Sequence, residues 1–216
     1  MKNKNRFFIS SFIIAILTLL INLIAFRFLP NKVPVHWGIS GEVDRYGSKG
    51  EHLLMSVLPL VLVVVLNFLP TIDPKKESFK LHSKAYSIMI LFVIILISGI
   101  NLIALSNALG WAINFSLVFP LLFGLFFTGM GNYMSQIRPN YFVGIRTPWT
   151  LASEYVWKKT HRFGGIVFII VGLIQVSSIF FGKFAMVLFL VTLFIGIIVV
   201  YLYSYFIFKK NNNQKR

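Results

Sequence analysis

From Ala85 to Ile137 the chain carries not one charged side chain. A soluble domain draws about 25% of its residues from Asp, Glu, Lys and Arg, so a stretch this long without any belongs in lipid. It is also too long to cross once. A hydrocarbon core of about 30 Å takes a helix of about 20 residues, and the stretch must turn and return. Ser106-Asn107-Ala108-Leu109-Gly110-Trp111 is the natural break, with Trp111 suited to a membrane interface. That predicts spans over about 85–105 and 114–134. Pro120, Gly124, Gly129 and Gly131 in the second of them suit close helix packing or a local kink.

The rest of the chain follows the same plan. Hydrophobic residues make up 57% of it and charged residues 12%. Phe7–Phe26 is an uncharged run behind Lys2, Lys4 and Arg6. It is longer than a signal-peptide core and lacks a small-residue cleavage site, so a retained first span is expected. Further spans are predicted at 53–72, at 164–181 after Gly164-Gly165, and at 184–208 after a turn at Gly182 and Lys183, with KKNNNQKR as a disordered tail. The fold class is therefore all-α: a polytopic integral membrane protein with six transmembrane helices. Sixteen of the 21 Lys and Arg residues fall in the N-terminus, the 75–84 loop, the 138–162 loop and the tail. The excess of Lys and Arg in cytoplasmic segments predicts that both termini are cytoplasmic.

The formal charge of +15 does not mark a nucleic-acid binder, because the basic residues cluster at the ends of apolar runs and form no basic face of their own. The absence of cysteine excludes disulfides, thiolate nucleophiles and Cys-ligated metals. None of the six acids falls inside a predicted span, which is unlike a proton-coupled pump. The spans hold neutral polar groups instead (Asn22, Asn67, Asn101, Thr128, Asn132 and Gln175), read either as interhelical hydrogen bonds or as the lining of a path.

Two connections carry the polar chemistry. The first, residues 30–52, gathers His36, Trp37, Glu42, Asp44, Arg45, Tyr46 and Lys49 among turn formers such as Ser40-Gly41. These seven are the candidate residues facing an extracytoplasmic ligand. Metal ligation by His36, Glu42, Asp44 or His52 matches no standard spacing, and Arg45 and Lys49 would neutralise the acids, so no metal or other cofactor is expected. An ordered loop held by salt bridges, with His36 and Trp37 packed at the outer interface, is the simpler expectation.

The second connection, residues 138–165, reads as a turn leading into a basic amphipathic helix lying on lipid headgroups. Thr147 is a candidate N-cap with Pro148 at the first helical position, or the helix starts one turn later from Thr150, and Glu154 precedes Lys158 by four residues. Trp149 and Trp157 would anchor the helix, and Gly164-Gly165 would end it. Asn140, Gly144, Arg146, Thr147, Pro148, Trp149, Thr150, Glu154, Trp157, His161 and Arg162 form the candidate surface for a cytoplasmic partner. Glu154, Trp157 and His161 share a stripe, so a lipid-directed site with His161 or Glu154 as base is geometrically allowed. No nucleophile or metal motif supports it, and a non-enzymatic role is expected.

The run N-Y-F-V-G-I-R-T-P-W-T-L, followed by V-W-K-K-T-H-R-F-G-G, resembles the signature loop of the SdpI family of bacterial membrane immunity proteins. V-P-V-H-W-G-I-S-G-E-V-D-R-Y-G-S-K resembles an extracytoplasmic module of unknown function found in larger relatives. The resemblance implies two modules. Residues 1–84 would be a two-helix unit with its loop at 30–52, and residues 85–216 a four-helix unit with its signature loop at 138–165. It implies immunity to a secreted, membrane-active peptide toxin, and a signal-receptor role that holds a small transcriptional repressor at the membrane. The expected partners are thus membrane lipids, a peptide toxin outside and a repressor inside, with no direct nucleic-acid binding. A small transporter or flippase, and then a lipid-modifying enzyme, are the alternatives.

Overall fold

The computed structural model describes residues 2–111 and 113–214. Six long apolar helices cross the fold: α1 (Lys2–Ala25), α2 (Lys49–Ile72), α4 (Ser83–Ala108), α5 (Phe115–Met134), α7 (Glu154–Ser178) and α8 (Ala185–Asn213). Two short helices, α3 (Lys76–Leu81) and α6 (Pro148–Ala152), sit in the connections at one end. The first connection, at the opposite end, is a β-hairpin of β1 (Lys32–Trp37) and β2 (Val43–Ser48). The all-α class therefore stands, with this hairpin as its one addition among the described residues.

The hairpin replaces the turn-rich loop expected at 30–52. Val33, Val35 and Trp37 alternate along β1, a half-buried strand pattern. Val33 pairs with Gly47 and His36 with Arg45, and the register is irregular on both sides of His36. Gly41, at φ 81, closes the turn. Ser48 then caps α2, its hydroxyl accepting from the Glu51 N–H.

The spans pack in two groups. Ala15, Val63, Ile90 and Ile94 join α1, α2 and α4, while Phe127, Val171 and Phe189 join α5, α7 and α8. Lipid offers no hydrophobic drive for helix association, so close approach of small residues must supply the contact. The α5–α7 seam does so at reciprocal glycine pairs. A Cβ added at Gly131 would sit 2.5 Å from the Gly165 carbonyl oxygen, and one at Gly172 would sit 2.6 Å from that of Gly124.

Two expectations need correcting. Gly164-Gly165 does not interrupt a helix, because α7 runs unbroken from Glu154 to Ser178. There the two glycines make room, Gly165 for α5 and Gly164 for the Ile145 side chain. The break falls earlier, at Ser153, which is extended and caps α7 through its hydroxyl. The tail is helical as far as Asn213, since nothing in KKNNN stops the helix.

Candidate functional site

The signature connection is built around Asn140, which is 1% exposed. Its Oδ1 accepts from the N–H groups of Phe142 (2.9 Å) and Val143 (2.7 Å), and its Nδ2 donates to the carbonyls of Arg138 and Val143. One side chain thereby satisfies a turn that has no ladder of its own. Gly144 follows at φ 103, and a Cβ there would fall 2.3 Å from His161 Nε2. Only glycine gives both that backbone and that space.

His161 and Trp157 lie one turn apart on α7, are both fully buried, and stack with ring centres 4.0 Å apart. The Ile145 N–H donates to His161 Nε2 at 3.0 Å, so the ring proton sits on Nδ1, which donates to the Trp157 carbonyl at 2.9 Å. Trp157 Nε1 in turn donates to the Ile137 carbonyl at 2.8 Å. Thr147 and Thr150 form a reciprocal capping box that starts α6, with Pro148 at its first position as the sequence indicates. Trp149 is half-buried against Tyr201 and Tyr205 of α8.

These placements divide the expected partner-binding set. Asn140, Thr147, Thr150, Trp157 and His161 are buried and spent on internal hydrogen bonds, so none of them presents a surface to a partner. Trp157 is no interfacial anchor, because its helix enters the bundle instead of lying on it. Gly144 is backbone architecture. Arg146, Pro148, Glu154 and Arg162 are exposed, and Trp149 shows one edge. Arg146 also braces the turn, donating to the Tyr141 carbonyl at 2.6 Å. Glu154 pairs with Lys158 at 2.8 Å as its spacing indicates. With both nitrogens of His161 occupied, its candidacy as a base for lipid chemistry has no geometric support.

Sequence reasoning missed what holds this connection to the rest of the chain. Asp73, 2% exposed, accepts from the N–H of Tyr141 (2.8 Å) and of Lys75 (2.6 Å). His82 Nδ1 accepts from the Arg138 N–H at 3.4 Å, while His82 Nε2 is buried without a partner among the described residues. Burial, with a smaller contribution from the Arg138 charge, pushes His82 down to about 4, against opposing effects from the nearby Ser78 backbone and Asp73. No local pattern around Asp73 and His82 announces these partners.

At the other end, His36 Nδ1 and Asp44 Oδ1 share a hydrogen bond at 2.6 Å, and Arg45 meets Glu51 at 2.9 Å, a salt bridge of the kind expected of an ordered loop. His36, Glu42, Asp44, Arg45 and Tyr46 are exposed. The Lys49 ammonium lies over the Phe26 ring, 5.0 Å from its centre. Trp37 stacks on Phe115 of α5 at 4.7 Å and 7°. The expected packing of both His36 and Trp37 at the outer interface holds only for Trp37: His36 is exposed, because neighbouring residues of a strand face opposite sides. Of the neutral polar groups in the spans, Asn22, Asn101 and Gln175 bond between helices, whereas Asn67 bonds back to Val63 of its own helix.

Comparison with known proteins agrees with this architecture. The SdpI/YfhL protein family matches residues 136–204, and a Domain of unknown function (DUF1648) matches residues 13–63. The chain is 30% identical, over 96% of its own length and 98% of the relative's, to the protein called "Immunity protein SdpI" of Bacillus subtilis (strain 168). No solved structure matches. Six apolar spans, the signature connection and full-length similarity lead to one conclusion: the chain is a multi-pass bacterial membrane protein belonging to the SdpI/YfhL family.

Proposed function

We propose that this protein is a membrane immunity protein that protects its cell from a secreted, membrane-active peptide toxin and also serves as a signal receptor. The observation that carries the reading is the full-length similarity to a protein named for immunity. The hairpin end faces outward and receives the toxin. The 138–165 connection and both termini face the cytoplasm, as the placement of sixteen of the 21 basic residues favours. There the exposed Arg146, Trp149 edge and Arg162 offer a basic and aromatic surface to a small transcriptional repressor. Expression in a toxin-sensitive strain tests the first part: the protein should restore growth against at least one secreted peptide, and unchanged killing by every candidate peptide would sink it. Capture of a repressor at the membrane only in the presence of toxin tests the second.

A further inference from the structure

Beneath the hairpin lies a cavity of about 190 Å³ between α2 and α4, roofed by Pro34, Val35 and Trp37 of β1. An apolar cavity of about 150 Å³ accommodates benzene, so this one has room for a single bulky apolar side chain. One wall is the α4 stripe of Ile97, Ile100, Asn101 and Ala104, at spacings that share a helix face.

Two of the lining groups are polar, and the hydrogen bonds around them dictate their roles. Asn22 donates through Nδ2 to the Thr18 carbonyl (2.8 Å) and to Asn101 Oδ1 (2.7 Å). Asn22 Oδ1 can only accept, so His52 Nε2, 2.8 Å away, must carry a proton and donate it. In the neutral imidazole that leaves His52 Nδ1 as an acceptor. Asn101 has spent its oxygen and keeps its Nδ2 donors. Neither Asn101 Nδ2 nor His52 Nδ1 has a partner among the described residues. His52 is 2% exposed and Asn101 6%, so the two side chains are buried except where they line the cavity. An unmade hydrogen bond in such a place is costly, and a ligand that completes it gains accordingly.

From this we infer that the cavity binds a peptide segment, seating one bulky apolar side chain among the α2 and α4 residues. The adjacent peptide group donates its N–H to His52 Nδ1 and accepts at its carbonyl from Asn101 Nδ2. A peptide amide supplies both a donor and an acceptor beside an apolar side chain. A fatty acyl ester supplies acceptors only and leaves His52 Nδ1 unmatched. The inference rests on the immunity reading above for the direction from which the ligand comes. It adds the recognition site and the ligand chemistry.

The test uses the full-length protein in phospholipid nanodiscs, with N-acetyl-para-fluorophenylalanine N-methylamide as probe and fluorine NMR as readout. The control is the depsi analogue, in which ester oxygens replace both amide N–H groups. Saturable binding of the amide is expected, with the depsi analogue roughly tenfold weaker for loss of the donor. Ala104→Leu and Ile97→Phe each fill the cavity from the α4 side and should abolish binding. Three results would overturn the inference: no binding of the amide, equal binding of amide and ester, or binding that survives both filled variants. The comparison of amide with ester needs only the wild-type protein, so it decides even if a variant fails to fold. Protection measured in parallel separates the two readings. Loss of binding with protection intact removes the cavity alone; binding without protection against any peptide removes the immunity reading alone.

Discussion

His161 spends both ring nitrogens inside the fold, on the Ile145 N–H and the Trp157 carbonyl, while its face stacks on Trp157. His161→Phe keeps the stack but orphans the part-buried Ile145 N–H, a loss of about 1–3 kcal/mol. A thermal melt of the purified protein in detergent should fall accordingly, and an unchanged melt would mean the ring is only filler. Gly144→Ala should act through the same contact, because its Cβ would collide with Nε2. Arg146 differs in being exposed. Arg146→Ala is expected to impair protection or signalling at unaltered membrane levels, and loss of the protein would instead assign Arg146 to bracing the turn. His82 adds a pH dependence. Its folded value of about 4 lies below the ordinary 6.5, so the stability tied to its neutral form is complete above 6.5. That stability is lost progressively as the pH falls towards 4, because the unfolded chain takes up the proton first. Protection factors against hydrogen exchange at Tyr141 and Phe142 should fall as the pH drops across that window, and His82→Gln should flatten the response.

At the scale of helices, the α5–α7 seam depends on having no side chain where the backbones meet. Gly131→Val would place atoms against the Gly165 carbonyl, 2.5 Å from where its Cβ must lie. Backbone cannot yield as a side chain can, so separation of the helices should cost about 1–3 kcal/mol or more. Gly99→Ala is the milder comparison, since the nearest atoms to its Cβ belong to the Leu122 side chain, at 3.2 Å. Protease resistance of the two variants should rank in that order, and equal resistance would show that the seam is not a tight one. The same small-residue logic explains why Gly164-Gly165 reads as a helix end and folds as a helix middle. In water an exposed glycine pair loosens a helix, whereas between packed spans it permits the approach that stabilises one.

At the scale of the molecule, the two ends of the bundle carry different polar structures joined by the spans. The hairpin reaches α5 through Trp37 on Phe115, and at the far end Asp73 and His82 tie the α2–α4 connection to the signature turn. The chain contains no cysteine, so single-cysteine labelling reports the proposed orientation without background. Ile39→Cys at the hairpin tip should react with an impermeant maleimide on intact cells, and Asn213→Cys only after permeabilisation. The reverse pattern would invert the proposed topology.

Six spans, the approximate limits of the first four, the Thr147–Pro148 helix start and the Glu154–Lys158 pair were legible in the sequence, because each depends on neighbours in the chain: an uncharged run, a cap, a four-residue spacing. The signature connection was legible as the main polar connection for the same reason, being the polar island between apolar runs. Which of its residues face outward was not. Trp157 and His161 are buried by Ile137, Ile145 and the helices around them, and Asn140 by a turn that only folding closes. The register of the hairpin, and the meeting of Asn22, His52 and Asn101 beneath it, were likewise decided by tertiary structure. Local spacing sets where a helix begins and how long it runs. Partners far apart in sequence are set only when the helices pack.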